Sequence, residues 1–159
     1  MNKNYTVVDQ WPYWECMGFA VLWALKIMNP SIDHEKIARE LNEDPSGLLS
    51  APRAAKWFKE RWYIKGIRYV RVVPWLVNKW IPIVVSMSNI DWVKAWTPPF
   101  FAGSWEKNNS HWTTVVAVNW SIRTHLNSWG ISWWDKGLFY TDKNVILDSR
   151  LNRPFILIL

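Results

Sequence analysis

The sequence predicts an α+β fold in a single domain over residues 1–159. A helical half over about residues 8–65, built round one central helix, packs against an antiparallel β half over about residues 66–159. Three observations carry that expectation. Apolar residues in the first third recur at helical spacing, those after residue 66 fall in short β-branched and aromatic runs, and the two kinds of segment are segregated rather than alternating as βαβ units would. With 159 residues, half of them apolar, the chain can bury a core without disulfide or metal staples.

Taken in order, the run "ECMGFAVLWALKIM" from Glu15 to Met28 is apolar on nearly every side, which suits a helix buried all round. Asn29 and Pro30 stop it, because proline has no N–H to continue the ladder. Ser31 or Asp33 can cap a second helix that carries Ile37 and Leu41 at i,i+4, with its charged residues turned to water. A third helix starts at Ser50 and runs through "APRAAKWFKER", Pro52 being tolerated in its first turn. After that the period changes. "IRYVRVV", "IPIVVSM", "TTVVAV", "SIRTHLN" and "GLFYT" read as strands, separated by Pro, Asn, Gly or Trp, and "WTPPFFAGSWEKNN" at 96–109 reads as a loop.

Composition removes some classes of function. A lone Cys16 cannot form an internal disulfide, so nothing in the fold requires an oxidising compartment. The N-terminus "MNKNYTVVDQ" lacks the basic-then-apolar run of a signal peptide, and no apolar stretch reaches the ~20 residues that span a bilayer. The expectation is a cytoplasmic protein with no membrane span. The net charge of +6 is concentrated at Arg53, Lys56, Lys59, Arg61, Lys65, Arg68 and Arg71 against Glu60 alone. A run of that kind is usually the solvated face of a helix, and no nucleic-acid-binding signature accompanies it, so nucleic acid is a weak alternative partner.

Most unpaired cysteines are small buried hydrophobes. Cys16, however, stands at the start of the buried helix, where exposed N–H groups and the helix dipole favour a thiolate. Such a sulfur needs a base. His34 lies in the charged second helix and reads as solvated, and His125 lies in a strand where it can face out or pack. His111 stands at the mouth of the apolar strand "TTVVAV", from which a fixed backbone can aim its ring into a cleft. Asn127, sixteen residues on (127 − 111 = 16), can return on a neighbouring strand and hold one tautomer of that ring.

These residues resemble the papain-like cysteine peptidases. In "DQWPYWECMGFA", Gln10 precedes Cys16 by six positions (16 − 10 = 6), the cysteine opens the central helix, and Phe19 follows three later, as in that family. His111 opens an apolar strand, and "NSWGISWWDKGLF" is similar to the family's Asn-Ser-Trp-Gly, its following Trp-Gly pair and its Gly-aromatic strand. The resemblance implies a papain-like fold with an active cleft between the halves, no cofactor and no metal, and a peptide or protein as substrate. It implies Cys16 as nucleophile, His111 as general base and acid, Asn127 orienting His111, and Trp129 shielding that hydrogen bond. Gln10 and the Cys16 N–H would form the oxyanion hole. An amidase or acyltransferase using the same acyl-enzyme chemistry, or a catalytically silent papain-like binding module, would carry the same landmarks.

Two departures accompany the match. His111 follows Cys16 by 95 positions (111 − 16 = 95), where papain-type chains place it ~130–150 downstream, and no propeptide-like segment precedes Gln10. The family's glycine-rich substrate edge is echoed only by Gly47 in "EDPSGLLS", where a plain turn glycine is the simpler reading.

The tryptophans form a further pattern. Fifteen Trp stand against six Gly, although glycine ordinarily makes up ~7% of a chain. Trp11, Trp14, Trp112 and Trp134 fall where the family or turn physics favours glycine. Trp62 ends a helix where a left-handed glycine cap is expected, Trp80 precedes a strand, and Trp120 follows Asn119 where a hairpin favours Asn-Gly. A gene in which UGA encodes glycine, translated with UGA as tryptophan, would produce this pattern, leaving Trp129 and Trp133 genuine. The rival is a truly Trp-rich protein that uses aromatics to hold polysaccharide or lipid.

Overall fold

Buried apolar faces from three helices meet one side of a single antiparallel sheet. The structure is a computed structural model and describes residues 16–44, 50–88, 110–126, 138–142 and 153–159. Helix α1 (Cys16–Met28) is buried continuously from Met17 to Leu25, as its all-round apolar sequence demands. Phe19, Leu22 and Leu25 are fully enclosed, and each such side chain contributes about 1.5–3 kcal/mol relative to leaving it in water. Helix α2 (His34–Glu43) is capped by Asp33, whose carboxylate accepts from the Lys36 N–H at 3.0 Å, and buries Ile37, Ala38 and Leu41 along one stripe. Helix α3 (Ala51–Glu60) is capped by the Ser50 hydroxyl and turns Ala51, Ala54, Trp57 and Phe58 inward.

The sheet runs in the order β1-β6-β2-β3-β4-β5. Its strands are β1 (Gly66–Tyr69), β2 (Ile83–Ser88), β3 (Ser110–Asn119), β4 (Ile122–Leu126), β5 (Leu138–Asp142) and β6 (Phe155–Ile158). Every pairing is antiparallel, and β4 shifts register against β3 between Val115 and Ala117. The α+β class and the segregation of the first three helices from the strands match the expectation.

Strand alternation divides the core in two. Val84, Trp112, Leu126, Phe155 and Leu157 face α1, α2 and α3, while Ile83, Val85, Val115 and Ile156 face the opposite side. There they meet Leu76 and Val77 of a short helix α4 (Pro74–Asn78). The described residues are therefore layered as three helices, a sheet and a single-turn helix.

Two elements differ from the sequence reading. "IRYVRVV" is not one strand: only Gly66–Tyr69 pairs, and Pro74 then opens α4, its fixed φ suiting the first turn of a helix. β6 was not among the expected strands, yet it lies between β1 and β2 with Phe155, Ile156 and Leu157 buried. Its run is apolar on both faces, so it carries no alternation to mark it. The segment 96–109, expected as a loop, lies outside the described residues. Among the described residues no helix is long and apolar enough to cross a membrane.

Candidate active site

Cys16 is the first residue of α1, half-buried against the core its helix builds, and forms no disulfide. His111 is the second residue of β3, sits opposite Met87 of β2, and is buried. The two elements are joined directly. The Thr114 hydroxyl of β3 donates to the Ala20 carbonyl of α1 at 2.6 Å in a fully buried contact. Ala20 is four residues from Cys16, roughly 6 Å of helix, and Thr114 is three residues from His111, roughly 10 Å of strand.

Trp112 and Thr114 take the α1 side of β3, so alternation puts His111 on the other side with Thr113 and Val115. That side holds a polar network. Thr113 Oγ1 lies 2.9 Å from His125 Nδ1, and His125 Nε2 lies 2.7 Å from Thr141 Oγ1, linking β3, β4 and β5 through one ring. A neutral imidazole has one N–H and one bare nitrogen, and a hydroxyl can accept from the first or donate to the second, so two threonines satisfy it completely. Burial, reinforced by the charges of Arg123 and His111, pushes the His125 pKa down to about 3. His125 is thus a neutral structural ring at any pH near neutrality, and it feels the charge of His111.

The sequence left His125 free to face out or pack; it packs. The signal that could have found it is the pair of threonines on the adjacent strands, legible only once the register is known. His34 is partly exposed at the start of α2. Asn127 immediately follows the last residue of β4 but, like Gln10, Trp129 and Gly47, lies outside the described residues.

The basic run behaves as a solvated surface. Arg53, Lys56, Lys59, Arg61, Lys65, Arg68 and Arg71 are all exposed, Lys56 pairs with Glu60 at 3.7 Å, and the Arg61 guanidinium stacks 3.9 Å over the Trp57 ring. Arg61 also donates to the Trp57 carbonyl at 3.2 Å. Among the described residues no group of three or more His, Cys, Asp or Glu side chains could hold a metal ion. Comparison of the chain with family models, with curated proteins and with solved structures returns no match.

Proposed function

We propose that the protein is a cysteine peptidase of papain-like arrangement that cleaves peptide bonds through an acyl-thioester on Cys16. The observation that supports this most is the buried Thr114–Ala20 hydrogen bond, which seats the Cys16 helix on the strand of His111. The start of α1 offers its first N–H groups, and with them the positive end of the helix dipole, to a thiolate. His111 lies on the far side of β3 from α1, and this reading requires its ring to reach the sulfur round the leading end of the strand, one residue from Ser110. Asn127, continuing from β4, would hold the ring from behind.

In the proposed cycle the Cys16 sulfur attacks the peptide carbonyl carbon while His111 gives its proton to the departing amine. Gln10 and the Cys16 N–H would receive the negative oxygen of the tetrahedral intermediate. Water, deprotonated by the then neutral His111, attacks the thioester, releases the acid and restores the thiolate beside a protonated His111. His125 takes no proton in this scheme, because its ring is held neutral by burial.

The test is alkylation and turnover together. A thiol-directed epoxide should label Cys16, and hydrolysis of a peptide library should fall by at least about 10³-fold in Cys16→Ala and in His111→Ala. A folded protein whose Cys16 resists the epoxide and whose hydrolysis survives both substitutions would refute the assignment.

A further inference from the structure

Among the described residues, three other than glycine have positive φ, and all three are tryptophan: Trp62 at 63°, Trp80 at 69° and Trp120 at 58°. A bulky side chain in this region is a conformational outlier, since its Cβ crowds the neighbouring carbonyl. Each of the three occupies a position whose backbone pattern requires this φ.

Trp62 and Trp80 complete the same motif at two helix ends. After α3, the Trp62 N–H donates to the Lys59 carbonyl at 3.0 Å and the Tyr63 N–H reaches back to the Phe58 carbonyl at 3.0 Å. After α4, the Trp80 N–H donates to Val77 at 3.0 Å and the Ile81 N–H to Leu76 at 3.2 Å. These paired bonds define the Schellman ending, whose left-handed residue is ordinarily glycine. The accompanying hydrophobic contact is also present at α3, where the Phe58 and Tyr63 rings lie 6.3 Å apart. Trp120 is the first of two residues joining β3 to β4, with Asn119 paired to Ile122. Positive φ at Trp120 but not at Ser121 is the type II′ hairpin pattern, which takes glycine at its first central position. The hairpin glycine site is thus the first half of a Trp-Ser pair, not the second half of an Asn-Gly pair as the sequence suggested.

Two of the indoles gain little in return. Trp62 is 91% exposed and Trp120 97%, whereas Trp23 and Trp57 are packed in the core. Nor do the three make a common aromatic platform, because α3 and α4 lie on opposite sides of the sheet. That arrangement disfavours a shared surface for polysaccharide or lipid. Trp112 behaves differently: its φ is ordinary, its side chain is buried, and its ring lies 5.9 Å from that of Phe155, so the backbone gives no reason for glycine there.

We infer that the natural chain carries glycine at positions 62, 80 and 120, its gene being written in a code that reads UGA as glycine. This inference stands apart from the peptidase reading, since none of the three residues belongs to the proposed site. It bears on that site through the codons alone: the same code at Trp11 and Trp14 would place glycines beside Cys16.

The test reads the gene and the protein. Codons 62, 80 and 120 should all be UGA, and peptides of the protein purified from its source organism should have the mass of glycine at each. UGG at any of the three, or tryptophan in those peptides, overturns the inference. In the recombinant chain, Trp62→Gly, Trp80→Gly and Trp120→Gly should each raise the melting midpoint by roughly 2–4 °C. A lowered midpoint in these variants would likewise overturn it.

Discussion

His125 makes its environment measurable. Its folded pKa of about 3 lies below the ordinary 6.5, so between those values the unfolded chain binds more protons than the folded one. Stability from this group is therefore complete above pH 6.5 and drains away as pH falls toward 3, by about 1.4 kcal/mol per pH unit where only the unfolded form is protonated. Carboxylates also titrate in acid, so the variant His125→Gln is the reference. Urea midpoints followed from pH 7 to pH 3 should fall more steeply for the parent chain than for His125→Gln. Parallel curves would mean that the ring protonates in place. On the proposed reading the same burial keeps His125 out of the activity profile near neutrality.

Local anchors govern the elements. Replacing Asp33 by Ala removes the acceptor for the Lys36 N–H and should cost about 1 kcal/mol, seen as a lower urea midpoint with unchanged slope. Thr114→Val keeps the shape of the side chain but deletes its bond to the Ala20 carbonyl. It should cost about 0.5–1.5 kcal/mol and, on the proposed reading, slow the alkylation of Cys16 by shifting α1 on β3. Equal alkylation rates in a destabilised Thr114→Val would confine the bond to a structural role. Contacts of this range explain what could be read in advance. Asp33 and Ser50 announce their helices within four residues, and the uninterrupted apolar run of α1 announces its burial. The left-handed position at Trp62 was legible because a helix ending obeys local rules, even with the wrong residue in place, whereas Trp80 ends a helix that the sequence did not announce. The Thr113–His125–Thr141 network was not legible, because it depends on pairing among three strands. α4 was concealed within a run of β-branched residues, where the one sign of a helix was Pro74. Of the candidate site, the sequence supplied the residue types and their spacing. What it lacked was the face of β3 on which His111 lies, which only the packing of Trp112 and Thr114 against α1 settles.

At the scale of the molecule, stability is concentrated where distant segments meet. Phe155, Ile156 and Leu157 are buried, with Phe155 and Leu157 joining the core of α1 and Ile156 that of α4. Enclosing three such side chains is worth on the order of 5–9 kcal/mol. A whole domain's net stability is only about 5–15 kcal/mol. Deleting residues 155–159 should therefore abolish cooperative unfolding and tertiary circular dichroism rather than shift a midpoint, and a residual cooperative transition would show that β6 is dispensable. The pairing of Gly66 with Ile158 carries a further consequence for biogenesis. A ribosome must release residue 158 from its exit tunnel before β1 can find its neighbour, so the nascent chain travels with an open seam beside β2. Any chaperone that shields this polypeptide would have that seam to cover until synthesis has passed that point.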